Sequence, residues 1–134
     1  VVSSAVTSGS FDKHLCTAVK NCDNSRPSLG LEFIRADFTL PERKGHVREL
    51  NRDELQSLFK SKHSRSFFSE ELCTCYFRYN DGGKNHMVLF DNERSIIRKL
   101  TDAENHGFCA VFFYYPEFRR MKSLFSFQSV RPCE

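Results

Sequence analysis

Apolar and polar positions switch between two spacings along this chain, and the switches mark its elements. Leu29 to Leu40, with Leu31, Phe33 and Phe38 among its apolar positions, predicts a strand that Pro41 ends. Leu55, Leu58 and Phe59 then recur at i, i+3 and i+4, one face of an amphipathic helix. Asn51, followed three residues later by Glu54, comes close to a capping box at its start, although the usual Ser or Thr is absent. The apolar runs Cys73 to Tyr79 and His86 to Phe90 flank Asn80-Asp81-Gly82-Gly83. Those turn residues tolerate positive φ, so the segment predicts a β-hairpin. Asp91 or Asn92 can cap a second helix running to about Asn105, with Ile96, Ile97, Leu100 and Ala103 on its apolar side and Gly107 ending it. Phe108 to Tyr115 is apolar throughout, which predicts a strand covered on both faces and stopped by Pro116. A shorter helix over His14 to Asn21 competes with a loop forced by the bracketing Cys16 and Cys22, and Val1 to Ser10 predicts a flexible arm. Phe125 and Phe127 alternate in the tail as in a last strand, and no internal repeat is present.

These elements predict an α+β fold: one domain over residues 1–134, with a mixed sheet, a β-hairpin and two main helices. Composition agrees, since 40% hydrophobic and 28% charged residues support a core and argue against disorder. Aromatic usage is lopsided, Phe 14, Tyr 4 and Trp 0, which assigns most rings to packing rather than recognition. A net charge of +3 is too small to imply nucleic acid. No apolar run approaches the roughly 18 residues of a membrane span.

Six cysteines in a short chain, Cys16, Cys22, Cys73, Cys75, Cys109 and Cys133, predict disulfides and an oxidising, extracellular setting. Zinc knuckles need ligand pairs two to four residues apart on two turns, and the Cys73/Cys75 spacing is too tight, so no metal or other cofactor is expected. The opening Val1-Val2-Ser3-Ser4, without Met, fits a secreted product whose leader has been removed, and no Asn-x-Ser/Thr acceptor occurs.

The order of short segments also resembles a known family. Phe38-Thr39-Leu40 is followed by Glu54 to Lys60, by Val88-Leu89-Phe90-Asp91-Asn92, by Ser95 to Leu100, and by Asn105-His106-Gly107-Phe108-Cys109-Ala110-Val111-Phe112-Phe113. Over roughly residues 29–118 this resembles the C-terminal part of glycoside hydrolase family 18, the chitinases and chitinase-like lectins. In that family a strand ending in a Gly-Arg-Ser-Phe-Thr-Leu-like segment leads into a small inserted α+β domain. A Tyr-Asp-Asp/Asn turn, a helix and a final barrel strand follow. The resemblance implies a partial chitinase-like barrel with its insertion. The family's catalytic Asp-x-x-Asp-x-Asp-x-Glu run is absent, its Arg falls at Ala36, its substrate-stacking Trp falls at Phe113, and Tyr115 and Pro116 replace the polar residues that follow it. A truncated relative that kept scaffold and lost chemistry is therefore expected, its open strand edges covered by disulfides and by the tail.

No catalytic residue stands out. The five histidines are scattered, and neighbouring carboxylates such as Asp53/Glu54 and Glu70/Glu71 point in different directions, unlike the facing pair of a glycosidase. Basic clusters containing Arg43 and Lys44, Lys60, Lys62 and Arg65, and Arg119 and Arg120 can be solvated loops or a surface for an acidic partner. Tyr114, Tyr115 and Phe118, beside Arg119, form a second candidate contact surface. The expectation is a secreted, non-enzymatic inhibitor or effector that binds an extracellular protein. The alternative is a lectin for chitin-type or sulfated glycans.

Overall fold

The computed structural model describes residues 1–22, 26–40 and 46–113. It contains three helices and two sheets, where the sequence pattern predicted two main helices and one mixed sheet. Sheet A is all-parallel and has three strands in the order β1 (Val2–Ser3), β2 (Ser28–Leu31) and β8 (Ala110–Phe113). Sheet B is all-antiparallel and has five strands in the order β4 (Val47–Glu49), β3 (Arg35–Leu40), β7 (Lys84–Phe90), β6 (Thr74–Asp81) and β5 (Phe67–Ser69). The helices are α1 (Phe11–Asn21), α2 (Arg52–Ser61) and α3 (Glu93–Asn105).

The run 29–40 is two strands rather than one. Leu29 and Leu31 point into the core of sheet A, whereas Ala36 and Asp37 are buried in sheet B, and residues 32–34 carry the chain between the sheets. The junction is held from a distance. Asp91 Oδ2 accepts the Ile34 amide at 3.0 Å, and the Asp91 amide donates to the Ile34 carbonyl at 2.8 Å.

The first residues do not form a flexible arm. β1 pairs in parallel with β2, and Ser4 is fully buried, its Oγ accepting the Glu32 amide at 2.8 Å. Gly30 permits this approach: a Cβ there would lie 3.0 Å from a Val1 methyl. Val6 and Phe11 then enter the core beside Leu15, Leu29, Leu31 and Ile96. α1 forms despite its cysteines, because Ser10 Oγ caps it by accepting the Lys13 amide and its Phe11 and Leu15 are buried.

The hairpin is as predicted, with β6 and β7 paired from Cys75–Phe90 to Asp81–Lys84, and Gly82 and Gly83 at positive φ. Both expected caps also form. Asn51 and Glu54 make a full capping box, and Asn92 makes one with Ser95. α3 departs from its expected face: Ile97 is 44% exposed, while Lys99 is fully buried beside Ile96 and Ala103. β8 is not covered on both faces, since Phe112 is 39% exposed.

The expected disulfide staples are not found. Cys16, Cys22, Cys73, Cys75 and Cys109 are free thiols, and Cys133 lies outside the described residues. β6 also begins at Thr74, one residue after the start of the apolar run Cys73 to Tyr79. Cys73 sits before β6 at φ 56°, where its Sγ donates to Asp102 Oδ2 at 3.7 Å. Hydrophobic burial holds Cys73 where a covalent link was expected: it belongs to the core cluster of Phe11, Leu15 and Ile96. No described helix is long and apolar enough to cross a membrane.

Candidate functional site

Parallel sheets place their loops for ligands at the carboxyl ends of the strands. Just beyond the carboxyl ends of β1 and β2 the chain opens a groove of about 700 Å³, lined by the segments that follow them and by β3, β4 and the start of α2. Its apolar wall includes the half-buried Phe33 and Phe38 and the exposed Val47; Glu32, Glu49, Asn51 and Glu54 supply the polar rim. The Arg35 guanidinium lies 5.3 Å from the Phe33 ring centroid, within cation–π range. Ala36 lines the same groove, so the position where the resemblance puts an Arg carries no charge here. Mixed apolar and hydrogen-bonding walls suit a ligand with an apolar face and polar edges.

A second cleft, about 410 Å³, opens on sheet B around Asp37, Thr39, His46, Arg48, Tyr79, Asp81 and His86. Asp37, only 4% exposed, is the centre of this polar group. It accepts a short hydrogen bond from the Tyr79 hydroxyl, and His86 Nδ1 lies 2.9 Å from its other oxygen. Arg48 approaches to 4.0 Å. A carboxylate can only accept, so His86 donates from Nδ1. The imidazole also stacks on Tyr79, with ring centroids 4.4 Å apart. Burial, then the bond to Asp37, pushes the Tyr79 phenol well above its ordinary value, so it stays protonated and donates. An Asp–His pair can orient a general base. Here, however, the nearby phenol commits its proton to the same carboxylate, so it is no nucleophile. The group satisfies a buried charge.

The basic cluster expected around residues 60–65 is partly assembled. Lys60 is exposed on α2, whereas Lys62, His63 and Arg65 meet Arg78, Phe67 and Tyr79 around a cleft of about 390 Å³. Arg78 joins them from β6, where the pairing with β5 sets it beside residues 62–67; in the sequence it stands as a single base between Phe77 and Tyr79. Lys62 is partly engaged, 3.8 Å from Asp81 and 5.4 Å from the Tyr79 ring centroid. Arg43, Lys44, Tyr114, Tyr115, Phe118, Arg119 and Arg120 lie outside the described residues. The groove residues Phe33, Phe38 and Glu32 also escaped sequence reasoning, which assigned 29–40 to one strand and its rings to packing. Away from these clefts, Asp12, Cys16 and His106 bring three metal-ligating atoms within 4.8 Å of one another.

No family model matches the chain, and no curated protein matches it. Solved structures do. The chain is similar to the spore cortex-lytic enzymes SleL of Bacillus megaterium QM B1551 (TM-score 0.62, 21% identity, 77% of this chain and 25% of that one) and of Bacillus cereus (0.62, 19%, 77% and 24%). It is similar also to a chitinase from Chromobacterium violaceum ATCC 12472 (0.62, 21%, 79% and 33%). The likeness is one of fold, and the chain spans only a quarter to a third of the length of these structures.

Proposed function

We propose that this chain binds a neutral, chitin-type oligosaccharide along the groove at the carboxyl ends of β1 and β2, without cleaving it. The observation that carries the reading is the groove itself: Phe33 and Phe38 beside Glu32, Asn51 and Glu54, at the ligand end of a parallel sheet. Sugar rings present just such an apolar face with polar edges. The fold shared with a chitinase and two cortex-lytic enzymes supports a polysaccharide over other ligands of that shape. Kinship with glycoside hydrolase family 18 is part of the same proposal.

The basic cleft favours a second reading, the extracellular protein partner of an inhibitor or effector. Phe67 is 53% exposed beside Lys62, His63, Arg65 and Arg78, which suits an acidic surface with an apolar anchor.

One experiment separates the two. Retention on chitin and on heparin beads is measured together with calorimetric titration of chito-oligosaccharides and an assay for new reducing ends. The glycan reading expects saturable chitin binding, no new reducing ends, and about tenfold weaker affinity for Phe33→Leu, which removes the ring but keeps apolar volume. Retention on heparin alone, lost in Arg65→Glu/Arg78→Glu, overturns the neutral-glycan reading and shows that the basic cleft takes an acidic ligand. Flat isotherms with chito-oligosaccharides sink the glycan reading.

A further inference from the structure

Asp12, Cys16 and His106 line none of the three clefts, and their geometry has its own logic. Asp12 and Cys16 are four residues apart on α1, so they share one helix face. His106 is the residue that ends α3, and its ring reaches across to that face. The three potential ligand atoms all lie within 4.8 Å of one another.

The histidine is the informative member. Its Nδ1 lies 2.7 Å from the carbonyl oxygen of Asp102, a group that can only accept, so Nδ1 carries a proton. Its Nε2 lies 3.0 Å from Asp12 Oδ1, another acceptor. A neutral imidazole has one proton, and the carbonyl takes it. The Nε2 lone pair then faces a carboxylate, a repulsive contact unless a positive charge intervenes, either a second proton on the ring or a cation between the two groups. A backbone carbonyl on the remote nitrogen is the usual arrangement behind a metal-binding histidine, because it fixes the tautomer and aims the lone pair. The 3.0 Å separation is a few tenths of an ångström short of the roughly 3.3–3.6 Å that two tetrahedral ligands span at about 2.0–2.2 Å from one ion, so a small parting of the two side chains admits it. Cys16 adds a half-buried free thiol with no hydrogen-bond partner among the described residues.

We propose that Asp12, Cys16 and His106 form a Zn²⁺ site that ties α1 to the end of α3. One imidazole nitrogen, one thiolate and one carboxylate suit a borderline-soft ion that prefers four ligands, with water completing the shell. Charge balances: the ion displaces one proton from the Cys16 thiol to solvent, and thiolate plus carboxylate then neutralise the dication. The site supplies the cross-link that a disulfide was expected to supply, through a residue, His106, that no cysteine count could reveal.

The test uses the full chain, reduced and stripped of metal, titrated anaerobically with Co²⁺ as a spectroscopic probe and then with Zn²⁺. The expected result is a sulfur-to-cobalt charge-transfer band that Zn²⁺ abolishes, with a rise in melting temperature on Zn²⁺ addition. Cys16→Ser should remove the band, and His106→Gln should weaken affinity at least about tenfold. Asp12→Asn, on a side chain 71% exposed and so safe for folding, should weaken it as well and serves if the other variants fail to fold. No sulfur–cobalt band, or a band that survives Cys16→Ser and Asp12→Asn alike, overturns the site and leaves a His106–Asp12 ion pair in its place.

Discussion

Single residues carry most of what is unusual here, and they do so through burial. Cys73 illustrates it. Burial first, then the neighbouring Asp102 charge, pushes its thiol up to about 12 from an ordinary 9.0, and burial with the Asp37 bond pushes the Tyr79 phenol up as well. Both shifts favour the neutral form in the folded state. Their contribution to stability is therefore complete below pH 9. It is lost as pH climbs towards 12, because the unfolded chain releases protons that the native one retains. Urea midpoints measured from pH 8 to pH 11 should fall above pH 9, and Cys73→Ala should make that fall shallower. An unchanged slope in the variant would show that the thiol does not couple to folding. The same burial makes Cys73 a poor nucleophile, since only the thiolate attacks.

Elements are assembled by a few long-range polar contacts rather than by covalent links. The Lys99 side chain on α3, 0% exposed, places its ammonium 3.0 and 3.1 Å from the two oxygens of Asp91, whose side chain is also 0% exposed. Asp91 in turn receives the Ser95 hydroxyl at 2.7 Å and the Ile34 amide at 3.0 Å. One carboxylate thus joins the end of β7, the first turn of α3 and the crossing between the sheets. Lys99→Met should cost about 3–5 kcal/mol, because it strands a buried charge rather than merely removing a contact. Chemical denaturation reads the loss directly, and a midpoint close to that of the unchanged protein would mean that Asp91 is held well enough by its other donors. α2 is held less firmly. None of its residues is fully buried, and Leu55, Leu58 and Phe59 pack only partly against Phe77 and Val88.

At the scale of the molecule, sheet A depends on its shortest strand. β1 covers one edge of β2, Ser4 is bonded to Glu32, and Val6 enters the main core. Removing residues 1–6 should therefore cost at least about 2 kcal/mol, from lost apolar burial and an unpaired Glu32 amide, and should expose the β2 edge to intermolecular pairing. A lower melting temperature with concentration-dependent light scattering is the expected outcome; a truncated chain as stable and as monodisperse as the full one would show that β1 is an ornament of the sheet. The groove draws on the same arrangement, since Ala5 and Thr7, just beyond β1, are among its lining residues.

What the sequence alone determined is what neighbours in the chain determine. The Asn80-Asp81-Gly82-Gly83 reversal, the caps at Asn51 and Asn92 and the helical spacing of Leu55, Leu58 and Phe59 are local, and each formed as its residues predict. The similarity of element order to the chitinase fold was legible for the same reason. Tertiary structure decided everything that needed a partner far away. It split 29–40 between two sheets, buried Lys99 and left Ile97 out, left the described thiols unpaired, and gathered Asp12, Cys16 and His106. A charge or a thiol reads the same in sequence whether it faces water or a counter-charge. Only the packing that removes the water shows which charge is neutralised, which thiol stays protonated and which histidine faces a carboxylate.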